Sequence, residues 1–119
     1  MENCVFCKIV AQNAPANIIF EDEHVLALVP LEKVSQGHTV LITKMHFDNI
    51  FDIEEVVFSH LAQVMKRLSI RLVEENQASG INLLNANGKD AQQSVSHFHF
   101  HLVPRFPSDG LDMWIKQRL

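Results

Sequence analysis

The chain has 119 residues, 47% apolar and 20% charged, with 10 Lys and Arg against 14 Asp and Glu for a net charge of −4. That size suits one domain with its own core, and the apolar content excludes disorder as the main state. No apolar run approaches the ~20 residues of a membrane span, the acidic balance argues against nucleic acid as a partner, and two Cys are too few for a disulfide-stapled secreted fold. The opening Met-Glu-Asn-Cys has no basic stretch, so no secretory leader is expected and a cytoplasmic location is the expectation.

In chain order, Cys4 to Val10 can form a short helix or a zinc-knuckle-like turn. Asn17 to Asp22 reads as a strand ending at an acidic turn, and His24 to Val29 as a second strand that Pro30 ends. A hairpin through Asp22 and Glu23 joins them. His38 to Lys44 follows Gly37 and reads as a third strand. Ile53 to Glu75 is the one long helix, with Val57, Leu61, Val64, Met65, Leu68 and Leu72 at the spacing of a buried stripe. Asp52 with Glu55 three residues on resembles an N-cap with its capping-box acid. Lys66, Arg67 and Arg71 suit the negative end of the helix.

Ile81 to Leu84 reads as a fourth strand, Asn85 to Gln93 as a polar loop, and Val95 to Val103 as a fifth strand stopped by Pro104. The remainder is irregular, apart from a turn of helix around Met113 to Gln117. The sum is α+β: five strands in a mostly antiparallel sheet, one long helix on one face and a short N-terminal helix.

Seven His are present, and three of them form His97-Phe98-His99-Phe100-His101. On a strand, alternate side chains share a face. The three imidazoles then point one way, about 6.5–7 Å apart in succession, while Phe98, Phe100 and Leu102 point into a core. A one-residue slip would bury the imidazoles and expose the aromatics, so the register is specified. A phosphate lying across such a face can touch more than one ring. Two other readings stay open on the residues alone: three solvated surface histidines, or a metal site, since neutral imidazole is a common ligand.

Cys4-x-x-Cys7 can offer two thiolates to one ion, with His from elsewhere completing a tetrahedron. Two reduced thiols, one packed in the core, is the plainer reading; a redox pair lacks the βαβ pattern it would need. His60 lies off the apolar stripe and reads as a surface residue. Trp114 can line the leaving-group side of a site or serve as a plain packing residue, the second being the commoner role.

His97 to Val103 matches the His-φ-His-φ-His-φ-φ signature (φ apolar) at every position, and so resembles the histidine triad (HIT) family. Gln93-Ser94-Val95 resembles the lead-in to that signature, Gly37-His38-Thr39-Val40-Leu41-Ile42 the Gly-His strand, Lys44-Met45-His46 the segment after it, and Cys4 to Val10 the start of bacterial-type members. The resemblance spans Cys4 to Pro104. It implies a HIT domain over 1–106 with a C-terminal tail over 107–119, and a homodimer whose sheet continues across the interface. The edge of the fifth strand or the helix face is then the expected dimer surface.

The resemblance also implies a function: nucleotidyl hydrolysis or transfer at the α-phosphate of nucleoside phosphoramidates or dinucleoside polyphosphates. His99 would be the nucleophile, His101 and His38 would hold phosphate oxygens and leaving group, and His97 would complete the triad. Ser94 would contact the phosphate, with Gln93, Asn85 and Asn87 as further substrate contacts. No catalytic cofactor is implied. Cys4, Cys7, His46 and His97 would hold a structural zinc, as in some bacterial-type members. Two positions depart from the family. Pro30 stands eight residues before His38, where nucleotide-binding members carry an Asp for the ribose, and Ala86 stands two before Gly88, where many carry an Asn. Those departures motivate the alternative of a zinc-stabilised nucleotide-binding or interaction module with little turnover. A catalytic metal at the three His is the third reading.

Overall fold

A computed structural model of the chain describes residues 3–116. The elements run α1 (Val5–Val10), β1 (Asn17–Glu21), β2 (Val25–Val29), β3 (Thr39–Thr43), α2 (Glu55–Asn76), β4 (Gly80–Leu84), a single 3₁₀ turn at Lys89–Ala91, and β5 (His99–Arg105). The strands form one sheet in the order β1-β2-β3-β5-β4, and all four pairings are antiparallel. Among the described residues, no helix is long and apolar enough to cross a membrane.

Alternation along β2 and β3 builds two cores. Val25, Ala27 and Leu41 face α2, where they meet Leu61, Val64, Leu68, Leu72, Phe98 and Leu102. Leu26, Leu28, Val40 and Ile42 face the other way and meet Phe6 and Ile9 of α1. With both faces covered, β2 is apolar throughout and β3 is apolar between its buried terminal residues Thr39 and Thr43. The Asp22 turn closes the β1–β2 hairpin, its Oδ1 accepting from the N–H groups of His24 and Val25.

Several expectations need correction. β5 begins at His99, not Val95, and it runs through Pro104 rather than stopping there. Pairing with β3 ends at Thr39↔Leu102, whereas pairing with β4 continues to Gly80↔Arg105. Arg105 offers its carbonyl to Ser79 on the β4 side, so the missing N–H of Pro104 faces the side where the ladder has already ended. β5 is also an interior strand, so its edge cannot be a dimer surface; the free edges are β1 and β4.

α2 starts at Glu55 with Glu54 as its N-cap and no side-chain capping bond. Asp52 instead caps the preceding turn, accepting from the N–H groups of Asp48 and Asn49. No basic residue lies in the last turn of α2; Arg71 pairs with Glu75 instead. Met113 to Lys116 are not helical, and Gln117 lies outside the described residues. The tail begins by folding back on β5: Arg105 donates to both carboxylate oxygens of Asp109 and to the carbonyl of Leu111.

Candidate active site and metal centre

The pairing of β3 with β5 sets His99 opposite Ile42 and His101 opposite Val40. Directly opposed residues share a face of the sheet, so both imidazoles emerge on the α1 side. Phe98 and Phe100 take the α2 side, where they stack edge to face with their ring centroids 5.9 Å apart. His97 precedes the strand and is turned inward until it is fully buried. Phe6 of α1 packs edge-on against both His97 and His99, with centroids 5.6 and 5.2 Å away.

Backbone carbonyl and N–H groups assign the ring tautomers. The Nδ1–H of His99 donates to the carbonyl of its neighbour His97 at 2.7 Å, which leaves the lone pair on Nε2. His38 Nδ1 accepts from the N–H of Val34 at 3.1 Å, so its Nε2–H faces His101 Nδ1 at 3.0 Å. His101 then carries its own proton on Nε2. Burial pushes His38 and His99 below the usual imidazole range, and it pushes His101 down to about 4. The three rings are therefore neutral at pH 7, and His99 has an unprotonated nitrogen without help from a base.

The same reasoning assembles a second centre beside the first. His97 Nε2–H donates to the carbonyl of Thr43 at 2.7 Å, and His46 Nε2–H donates to Asp48 at 2.9 Å. Each ring therefore presents an Nδ1 lone pair to the cysteines. Cys4 Sγ is 3.3 Å from His97 Nδ1, and Cys7 Sγ is 3.2 Å from His46 Nδ1 and 3.5 Å from His97 Nδ1. All four ligand atoms lie within 4.8 Å of one another. A tetrahedral ion with sulfur at ~2.3 Å and nitrogen at ~2.0 Å spaces its ligands by about 3.3–3.8 Å. Burial, followed by the neighbouring Cys4 sulfur, pushes the Cys7 thiol up; a cation is what lets two thiolates share this space. The four residues could hold a metal ion.

A family model described as "HIT domain" matches residues 11–108. The chain belongs to the HIT family. It is 38% identical over 105 residues to Protein hit of Bacillus subtilis, covering 88% of this chain and 72% of that one. It is 31% identical over 107 residues to the adenosine 5′-monophosphoramidase HNT1 of Candida albicans, covering 87% and 70% of the two chains. The crystal structure of a zinc-bound histidine triad family protein from Mycobacterium smegmatis superposes with a TM-score of 0.89 at 36% identity, covering 94% of this chain and 81% of that one. The fold is therefore the HIT fold, and the family model begins at residue 11, after both cysteines.

The loop before β5 of this HIT protein places the remaining predicted residues. Ser94 is exposed and lines a groove with His99 and His101. Gln93 braces its own loop: its amide donates to the carbonyls of Asp48 and Val95 and accepts from the N–H of Gly88. Asn85 donates to the carbonyl of His99. Asn87 donates to Asn85 and accepts from the N–H of Ile50. These three amides hold the loop to β5 and to the 48–50 turn. The sequence reading missed the groups that orient the site: Thr43, Asp48, and the N–H of Val34. Only the His46-x-Asp48 spacing carried a legible signal. His60 is likewise not a plain surface residue, since its Nε2 sits 2.7 Å from Asp22 Oδ2.

Proposed function

We propose that this protein is a nucleotidyl hydrolase acting at the α-phosphorus of nucleoside phosphoramidates or dinucleoside polyphosphates through a nucleotidyl-His99 intermediate. One observation carries the reading: the Nδ1–H of His99 is tied to the carbonyl of His97, so the free Nε2 lone pair belongs to a ring that lines the groove. The adenosine 5′-monophosphoramidase relative supports this reaction class.

For a phosphoramidate, Nε2 of His99 attacks phosphorus and the bond from phosphorus to the leaving nitrogen breaks, its electron pair leaving with the amine, which takes a proton from solvent as it departs. The imidazolium so formed keeps its Nδ1–H on the His97 carbonyl, which meets the new positive charge. The His101 Nε2–H donates to a phosphoryl oxygen, and His38 holds His101 in the tautomer that can do so. Water then attacks phosphorus, the bond from phosphorus to Nε2 breaks, and its pair returns to His99. The water hydroxyl ends on phosphorus and its proton returns to solvent, replacing the one the amine took in the first step.

We infer zinc as the ion for Cys4, Cys7, His46 and His97, because two thiolates and two imidazoles in a closed tetrahedron suit zinc in a structural role. It would pin α1 to β5. Two reduced thiols suit a cytoplasmic setting. The expected homodimer has β1 or β4 as its available sheet edge, which light scattering of the purified protein tests. The HIT domain over 1–106 with a tail over 107–119 remains the proposed organisation.

The deciding experiment measures nucleoside monophosphate release from adenosine, guanosine, cytidine and uridine phosphoramidates. His99→Ala should lose at least about a thousandfold in kcat while keeping the far-ultraviolet circular dichroism of the wild type. Full activity in His99→Ala would sink the mechanism. Nucleotide binding without product in the wild type would favour the binding-module reading.

A further inference from the structure

The groove that holds His99 and His101 has a volume of about 500 Å³ and extends away from the rings between α1 and the ends of β1 and β2. Its wall is made of Phe6, Ile9, Leu28, Pro30, Val40 and Val95, with other apolar residues between them. Among the described residues, no Asp, Glu, Lys or Arg lines it. Ser94 is the polar neighbour of the histidines, and the exposed amide of Asn17 at the start of β1 is the one other polar side chain along it among the described residues.

This division of labour limits what the groove can recognise. A phosphorylated substrate whose phosphorus meets His99 must lay its organic part along the apolar wall. A vicinal diol is read by a group that accepts two hydrogen bonds at once, most strongly a carboxylate. Here Pro30 closes β2 with a side chain that neither donates nor accepts, and the one amide lies at the rim. A site built to bond a substrate hydroxyl rejects the analogue lacking it by orders of magnitude, because its own polar groups are left unpaired. A wall without such groups has nothing to leave unpaired.

We propose that this groove takes the organic part of its substrate by apolar contact and does not read a ribose cis-diol, so that nucleotides lacking the 2′- and 3′-hydroxyls bind as well as ribonucleotides. The inference rests on the triad being the phosphorus-binding end of the groove, as argued under the proposed function. It assigns the substrate class by its sugar: ribose, deoxyribose and dideoxyribose are equivalent here.

The test titrates the full-length protein with AMP and with 2′,3′-dideoxy-AMP, reading Kd by calorimetry and the binding location by amide chemical shifts. The expected result is two Kd values within about threefold, with the largest shifts for both ligands at groove residues such as Val5, Leu28 and Val95. AMP binding at least 30-fold tighter overturns the inference and leaves the proposed reaction standing. Comparable binding with shifts elsewhere on the protein also overturns it. Absence of binding by either nucleotide overturns the inference, while the turnover assay alone decides the proposed reaction. Equal binding in the groove without any phosphoramidate turnover supports the inference and removes the proposed hydrolase activity instead.

Discussion

The Nδ1 of His99 lies 2.7 Å from the carbonyl oxygen of His97, and the ring of His97 reaches Cys4 and Cys7. One residue thus touches both groups: its side chain belongs to the Cys4–Cys7–His46–His97 cluster that could hold a metal ion, and its backbone fixes the tautomer of His99, the proposed nucleophile. A metal held there and the proposed chemistry at His99 would be coupled mechanically, through the placement of a carbonyl.

Removing the metal should therefore impair turnover although no step runs through an ion. Stripping zinc with a chelator, or the substitution Cys7→Ser, is expected to lower Tm and to reduce kcat by roughly tenfold, the scale of effects transmitted by orienting partners. Metal content by mass spectrometry, a melting curve and the phosphoramidate assay read all three. An unchanged Tm in metal-free protein would show that the cluster does not hold α1 to the sheet.

Much of this site was legible because β-structure converts sequence spacing into direction. His99 and His101 at spacing two, backed by Phe98 and Phe100, could be assigned to one face before any coordinates. Cys4-x-x-Cys7 could be read as a single turn, helical or knuckle-like, offering two sulfurs to one ion. The tautomers were not legible: they depend on carbonyls of Thr43 and His97 and on the N–H of Val34, and backbone groups have no residue type to betray them. Pro104 misled because a rule about central strands was applied to a position where only one neighbour strand remains. Asp52 misled because two hydrogen-bonded turns competed for one carboxylate, and the turn at 48–49 won.

Gly37, just ahead of His38, should resist substitution. Its φ is +85°, and a Cβ there would stand 2.5 Å from Asn76 Nδ2, 2.8 Å from Asn76 Cγ and 3.1 Å from Pro104 Cγ. Asn76 cannot swing away freely, because it donates to the carbonyl of Leu72 and accepts from Gln36. Gly37→Ala is expected to cost about 1–3 kcal/mol from strain and clash together. Because His38 is the next residue, kcat should fall as well. Urea unfolding measures the first effect; an unchanged midpoint would mean the loop relaxes at no cost.

Acid should weaken the fold through His38 and His101. His38 is buried and His101 half-buried, and both rings are neutral, with His101 pushed down to about 4, whereas an unfolded chain titrates them near 6.5. Between those values the unfolded state binds more protons, so stability rises with pH in that window. Stability is full above about 6.5 and falls progressively towards pH 4. Protonating His101 at Nδ1 would also set two N–H groups against each other across the 3.0 Å contact with His38. Tm measured from pH 7.5 to 4.5 should decline in the wild type, and the slope should flatten in His101→Gln. Parallel curves for the two proteins would assign the acid sensitivity elsewhere.

The hairpin turn and the long helix are tied by Asp22 and His60. Asp22 Oδ1 accepts from two backbone N–H groups at 2.8 and 2.9 Å, and its Oδ2 takes His60 Nε2 at 2.7 Å. Burial alone would raise this carboxyl, but the hydrogen bonds from His24, His60 and Val25 outweigh it and hold Asp22 below the usual range. Asp22→Ala leaves two turn N–H groups and one imidazole without their acceptor and should cost about 1–3 kcal/mol. His60→Ala removes one partner of three and should cost less. In a double-mutant cycle the pair should show a coupling of about 0.5–1.5 kcal/mol, because the helix-to-hairpin bond is lost only once. Additive effects of the two substitutions would mean that Asp22 serves the turn alone and that His60 does not anchor the β1–β2 hairpin to α2.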